Sequence, residues 1–577
     1  MPEYLAPGVF VEETSFRAKS IEGVGTSTCA FVGMTARGPT TGGVADPLPP
    51  LLTSYAEFER YYGGLDDLRL TTGPMPNYMA QAANAFFANG GGRLYVARVL
   101  GAGAASARAE IAGSAAAKKI ILHARTPGGS QIMNSTTNFR VVFALVNLAT
   151  TKKLARKQMP GTLVRSGANN ATHEFVGVDT IADSDDPCII QTVSVEVHDS
   201  TGLVYEASGL GVHPSSPRNI TTIMGPKPPQ TRDALTNPVR VEIAGGMTPV
   251  EIIAALAPAA NETVRVVNLV GGSDGTGAPP AKKANASAPP GYEDALAQLL
   301  AMEDISIVAA PGLSAFGDTV AAAVNQALIG HAEARRSYRI AVLDTPKEKV
   351  PQDVQALKGK IDSKYAALYY PWVRVSNPLA ATDPLQTTEI DLPPSGFVCG
   401  VYARTDVQRG VWKAPANETV TGALGLERAI SFGEQETLNP LGINCIRALP
   451  NRGIRVWGAR TISSDPEWKY VNVRRYFLYL ESSIDRGTQW AVFEPNGEAL
   501  WANVRTTISD FLYNEWVNGA LLGSSAKEAF FVRCDRSTMT QNDLDNGRLV
   551  CLIGVAAIKP AEFVIFKIGQ KTADARG

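Results

Sequence analysis

Apolar positions along the first hundred residues alternate between two periods. Thr28-Cys29-Ala30-Phe31-Val32-Gly33 is an unbroken apolar run closed by a glycine, the pattern of a strand buried on both faces. Ser54-Tyr55-Ala56-Glu57 has capping-box spacing and predicts a helix through Tyr62, stopped by Gly63-Gly64. A second helix is predicted over 77–89, with Met79, Ala82, Ala83 and Phe86 on one face. Gly90-Gly91-Gly92 ends it and a strand over 94–99 follows. The triple glycine sits at a helix C-terminus, the wrong dipole end for an anion, so it reads as a cap. The same rhythm returns over 291–374. Helices over 292–302, 318–335 and 351–363 each precede a strand, over 305–309, 338–343 and 366–370. Helix–strand repeats with continuous apolar strands predict a largely parallel sheet covered by helices. Later, 471–485 places Val473, Phe477, Leu480 and Ile484 on one helical face. Residues 498–518 do the same with Trp501, Val504, Ile508, Phe511 and Leu512.

Between 102 and 262 the pattern changes. An Ala/Gly/Ser stretch over 101–117 reads as a linker, followed by β-prone runs at 119–122, 139–145 and 193–197 separated by Asn/Thr/Ser/Gly/Asp turns. This predicts an inserted β-rich domain, which an assembly tolerates only where it faces solvent. The phrase Val270-Gly271-Gly272-Ser273-Asp274-Gly275-Thr276-Gly277 lacks the Gly-Lys-Ser/Thr of a phosphate loop and the acidic ladder of an EF-hand. It is expected to be the turn by which the chain re-enters its core, with a flexible loop over 277–290. The fold class is therefore multidomain mixed α/β (α+β). A helix-covered mixed sheet forms from 23–101 and 263–374, with 102–262 inserted. A further α/β domain spans 375–560, and arms lie at 1–22 and 561–577.

Composition narrows the function. A chain of 577 residues exceeds one core. A formal net charge of −1 argues against a protein built to grip nucleic acid. The start has neither a basic n-region nor an apolar h-region, and the apolar run at 551–558 is far short of the roughly 20 residues that span a bilayer, so no membrane insertion is expected. The six cysteines form no Cys-x-x-Cys pair and read as reduced thiols. Four of the five histidines (123, 173, 198, 213) fall in the inserted segment without ligand spacing, so no metal is expected. Asp344 ends a predicted strand, where α/β folds often place a catalytic acid, but it has no partner carboxylate or phosphate loop nearby in sequence. Ser395 and Cys399 sit in no nucleophile elbow, and no histidine follows His331. The expectation is no enzyme and no cofactor; a soluble α/β enzyme is the competing reading.

From 365 to 567 the chain carries a series of phrases that together resemble one family. They are Ala367-Leu368-Tyr369-Tyr370-Pro371-Trp372-Val373, Pro393-Pro394-Ser395-Gly396, Arg409-Gly410-Val411-Trp412-Lys413-Ala414-Pro415-Ala416-Asn417 and Leu438-Asn439-Pro440. Gly442-Ile443-Asn444, Arg455-Val456-Trp457-Gly458-Ala459-Arg460-Thr461, Val473-Arg474-Arg475, Val492-Phe493-Glu494-Pro495-Asn496 and Pro560-Ala561-Glu562-Phe563-Val564 follow. All seven tryptophans lie between Trp372 and Trp516. In this order the phrases resemble the tail sheath proteins of contractile phage tails and contractile injection systems. The resemblance extends to the first hundred residues and to 265–365, and fails over 102–262.

It implies a structural subunit that polymerises with itself as stacked helical rings, sixfold in the family, around an inner tube protein, with baseplate and tail terminator proteins as further partners. Location in a virion tail or injection particle, made in the bacterial cytoplasm, follows; phage and host-borne systems are both open. It also implies that the arms exchange strands with neighbours: Val9, Phe10 and Val11 at one end, Phe563, Val564, Ile565, Phe566, Lys567 and Ile568 at the other. Arg447, Arg452, Arg455, Arg460, Arg474 and Arg475 are the one notable charge concentration. They are either paired within the subunit or contacts between subunits, a role suited to the planar guanidinium fork.

Overall fold

The computed structural model describes residues 20–40, 48–132, 135–226, 235–282, 291–381, 384 and 386–566. The chain divides into two compact units. One comprises Thr26–Arg409 and Lys413–Val471, the other Met1–Gly25, Gly410–Trp412 and Asn472–Gly577.

The larger unit is built on an eight-stranded sheet. Its order is Glu418–Thr419, Gly453–Val456, Ile443–Leu449, Ala366–Tyr370, Ile340–Asp344, Ile307–Ala309, Thr28–Gly33 and Arg93–Arg98. The six strands from Ile443–Leu449 to Arg93–Arg98 run parallel, in registers such as Cys29↔Ile307 and Ala341↔Ala366, and two short antiparallel strands finish the other edge. Helices cover both faces. Ala30, Val32, Val308, Ala341, Leu343 and Leu368 share a core with Leu296 and Leu328 of the helices Tyr292–Leu299 and Asp318–Glu333. On the opposite face Phe31 meets Phe86 edge-on at 5.7 Å, and the Tyr369 and Tyr402 hydroxyls hydrogen-bond at 2.6 Å. Those partners belong to the helices Tyr78–Ala88 and Ser395–Arg409. These two helices lie close because Gly396 and Gly400 have no side chain. A Cβ at Gly396 would stand 2.8 Å from the Ala82 Cα, and one at Gly400 would stand 2.6 Å from the Phe86 carbonyl.

The helix–strand alternation matches the sequence pattern, with Ser54 capping Tyr55–Tyr62 and Asn77 capping Tyr78–Ala88. The domain boundary expected at 374/375 does not match. Strand Ile443–Leu449 pairs in parallel with Ala366–Tyr370, so that boundary cuts through one sheet, and the division between units falls at 471/472 instead.

The inserted segment forms a nine-stranded sheet, antiparallel throughout. Its spine is the long pair Thr137–Thr151 and Pro187–Asp199, registered from His198↔Arg140 to Pro187↔Thr151. Two expectations are corrected here. Arg265–Val270 lies between Arg108–Ala112 and Thr137–Thr151, so the inserted domain runs to 270 rather than 262. The stretch read as a linker contains a strand, Arg108–Ala112, held by Ile111↔Ile120. Its alanines have weak strand propensity and concealed the alternation. The entering and leaving chains meet at a bridge between Ala105 and Ser273, donating N–H to carbonyl in both directions at 3.0 Å. Beside it the buried Asp274 carboxylate accepts from the Arg69 N–H at 2.9 Å. Gly275 (φ 97°) turns the chain in a conformation that a side chain would strain. The re-entry turn read from the sequence is therefore also a lock.

In the smaller unit, helices Val471–Gly487 and Glu498–Val517 bury Tyr476, Leu480, Trp501, Val504, Ile508, Phe511 and Leu512 in one cluster. Phe477 and Ile484, expected in the core, are only half-buried. A two-stranded antiparallel sheet, Phe530–Arg533 with Leu552–Val555, completes it. The N-terminal arm expected over 1–22 is anchored at its root. Ile21 belongs to this same core, and the Val24 N–H donates to the Ser483 hydroxyl at 3.1 Å.

Candidate assembly surfaces

Asp344, the strongest candidate for chemistry, is fully engaged in holding the fold. It ends strand Ile340–Asp344, is buried, and accepts from the Ser395 N–H at 2.7 Å and the Ser395 hydroxyl at 2.6 Å. It thereby satisfies the first orphan N–H of helix Ser395–Arg409. Burial pushes its carboxyl up to about 7, against the Ser395 hydrogen bonds that favour the ion. Cys399 is buried one turn further along that helix. His331 is also buried, and its Nε2 lies 2.7 Å from Arg339 Nη1; burial and that guanidinium lower it to about 3, so the ring is neutral. The Arg339 guanidinium in turn donates to the carbonyls of Ile305, Leu299 and Met302. Among the described residues no group of three or more His, Cys, Asp or Glu is arranged to hold a metal, and no helix is long and apolar enough to cross a membrane.

The six arginines separate by burial. Arg460, Arg474 and Arg475 are buried. Arg460 donates to the Asn439 carbonyl at 2.9 Å, and Arg474 pairs with Glu481 at 2.7 Å. For these three the inter-subunit reading is corrected: a guanidinium enclosed in its own subunit is part of that fold, because exposing it would leave its partners unpaired. Arg447 is half-buried and donates to the Ile430 carbonyl and to Gln435. Arg452 is exposed and Arg455 half-buried, both bonded to Asn417, with Arg452 also lying 5.2 Å from the Trp457 ring. Sequence reasoning missed Asn417, which organises these two arginines from a left-handed backbone (φ 60°). It also missed Asn444, fully buried, whose amide donates to the Leu368 and Arg460 carbonyls and whose oxygen accepts from the Arg460 N–H. The signal was present: a polar residue inside an apolar strand phrase needs internal partners. Trp372 is held likewise, its indole N–H donating to the Thr345 carbonyl at 2.8 Å.

The C-terminal run has the opposite character. Residues 563–566 lie in no helix or strand, and Phe563, Val564, Ile565 and Phe566 are between 68% and 82% exposed. Four consecutive large apolar side chains thus stand largely in water. Val9, Phe10, Val11, Lys567 and Ile568 lie outside the described residues.

The described residues thus combine a sheet core, an inserted β domain and an exposed apolar run at 563–566. Residues 285–462 match the family model of the phage tail sheath protein central domain, and 463–571 that of the phage tail sheath C-terminal domain. A Pseudomonas aeruginosa (strain UCBPP-PA14) protein described as a prophage major tail sheath protein is 28% identical over 260 residues, 44% of this chain. The match spans 64% of that relative, a little under two thirds of its length. A chain in the cryo-EM structure of the anti-feeding prophage (AFP) baseplate is 37% identical, covering 48% of this chain and 73% of that one, with a TM-score of 0.41. The AFP helical sheath in its contracted state aligns over 99% of this chain and 100% of its own, at 22% identity and a TM-score of 0.54. The chain belongs to the contractile tail sheath protein family, whose central and C-terminal domain models together match residues 285–571.

Proposed function

We propose that this chain is the repeating subunit of a contractile sheath. Copies stack as helical, sixfold rings around an inner tube of a different protein, held between baseplate and terminator proteins, and contract to drive the tube through a target envelope. The site of action is a virion tail or an injection particle assembled from cytoplasmically made subunits. Nucleic acid and membrane are not direct partners.

The observation that carries this reading is the exposed run Phe563–Val564–Ile565–Phe566, which has no strand partner among the described residues. Rings that rotate during contraction need a tether that survives reorientation. A donated strand supplies one through roughly four or five backbone hydrogen bonds at about 0.5–1.5 kcal/mol each, plus buried alternate side chains. The Val9-Phe10-Val11 end is proposed as the second tether. Two truncated proteins test this, one ending at Ala561 and one lacking residues 1–19. Each is expected to stay folded and monomeric by sedimentation and to form no tubes by electron microscopy. Tubes of normal length from either protein would remove that arm from the mechanism.

The end-to-end likeness to the AFP sheath supports a second reading, an injection system rather than a phage tail. Electron microscopy of native particles distinguishes them: a DNA-filled head marks the phage.

A further inference from the structure

The sheet Phe530–Arg533/Leu552–Val555 holds a site that its residue pairing defines. Its register is Phe530↔Val555, Phe531↔Gly554, Val532↔Ile553 and Arg533↔Leu552. One step further in the same register, Cys534 falls opposite Cys551, close enough for each thiol to act on the other's proton affinity. At the opposite end the Ala556 N–H donates to the Ala529 carbonyl at 2.8 Å. That bond makes 529/556 a hydrogen-bonded pair. Alternation along an antiparallel ladder then makes 531/554 and 533/552 hydrogen-bonded and 534/551 non-hydrogen-bonded. In pairs of the latter kind the Cα atoms stand about 4.5 Å apart, within the range that a disulfide bridges without moving the backbone. The loop between the cysteines is already closed, since the Thr538 hydroxyl donates to the Val550 carbonyl at 2.7 Å.

We propose that Cys534 and Cys551 form a cross-strand disulfide when the chain meets an oxidant, closing the end of this sheet. The inference does not rest on the assembly reading. The oxidant class is a low-molecular-weight disulfide such as oxidised glutathione. Cys551, the half-exposed thiol, loses its proton to water, and its sulfur attacks one sulfur of the small disulfide, whose other half leaves as a thiolate. The Cys534 thiol then loses its proton to water, and its sulfur attacks the Cys551 sulfur of the mixed disulfide and displaces the second small thiolate; the two small thiolates take up the two protons released. Overall two protein thiols and one small disulfide become one protein disulfide and two small thiols. Burial and the neighbouring Cys534 push Cys551 up to about 12, so the thiolate is scarce at neutral pH and the reaction is slow there. Its rate is expected to rise about tenfold per pH unit between 7 and 9, following the thiolate fraction.

The test uses the full-length chain with oxidised glutathione. After denaturation, two of the six thiols are expected to be lost, the intact mass to fall by two hydrogens, and a single bridged peptide pair containing Cys534 and Cys551 to appear. The unfolding temperature of the oxidised protein should rise by several degrees and return on reduction. Cys551→Ser should keep all its remaining thiols under the same treatment. Because Cys534 is fully buried, Cys534→Ala serves as the second variant and should accumulate a stable glutathione adduct at Cys551 instead. Six intact thiols after treatment of the wild-type chain, or a stable wild-type adduct without a bridge, would overturn the proposal.

Discussion

Two buried titratable groups in the larger unit act in opposite directions on its stability. Asp344 is raised to about 7 in the fold, so the native state holds a proton that the unfolded chain releases above about pH 4, and the stability it contributes is lost as pH rises from about 4 to 7. His331 is lowered to about 3, so its contribution is present above about pH 6.5 and lost as pH falls toward 3. Asp344→Asn keeps an acceptor for Ser395 and removes the first effect. Its melting temperature relative to wild type is expected to climb steadily from pH 4 to 7.5 in a thermal scan series; a constant difference would show that Asp344 is ionised throughout. Charge reversal separates the arginines in the same way. Arg474→Glu should lower the melting temperature of the subunit by several degrees, since it places a carboxylate beside Glu481 in a buried position. Arg452→Glu, at the surface, should shift it by no more than about 1–2 °C, within ±0.5 kcal/mol, and act instead on tube yield in sedimentation if the residue faces a neighbour.

At the scale of elements, the close crossing of Tyr78–Ala88 and Ser395–Arg409 leaves no room for a side chain at its two glycines. Gly400→Ala puts a methyl group 2.6 Å from the Phe86 carbonyl, against backbone that cannot step aside. Despite the better helix propensity of alanine, it is expected to cost about 1–3 kcal/mol in chemical denaturation. Elements of this kind were the most legible in the sequence. Thr28–Gly33 and Ala366–Tyr370 fall where the apolar runs place them, and the Ser54 and Asn77 caps start their helices. Their signals are local, since a cap or an apolar run needs no distant partner to be recognised. What stayed hidden depends on pairing across the chain. Arg108–Ala112 is a strand because Ile120 lies opposite Ile111, and Arg265–Val270 belongs to the inserted sheet because Thr137–Thr151 lies beside it. The candidate site divides likewise. The strand-prone C-terminal run could be read from its residue types. The burial of Arg460, Arg474 and Arg475 could not, because guanidinium groups give no sign in sequence of the carbonyls or carboxylate that will enclose them.

For the whole molecule, the boundary at Ala105 and Ser273 relocates the deletion that tests the inserted domain. Removal of 106–272 with a short Gly/Ser join is expected to leave the larger unit folded by circular dichroism and able to polymerise. Removal of 102–262 is expected to misfold, because it strands Arg265–Val270 without partners and deletes Ala105 from the bridge. If neither protein forms tubes while both keep their core, the inserted domain takes part in the lattice. The bridge has a further consequence for what this scaffold can carry. Its two chains enter and leave side by side, so the core registers only a pair of adjacent ends and is indifferent to what is folded between them. A foreign domain whose own termini lie next to each other could occupy the same position, with Asp274 still fastening the return. A polymer of such chimeras would repeat that cargo at every subunit, as a regularly spaced display.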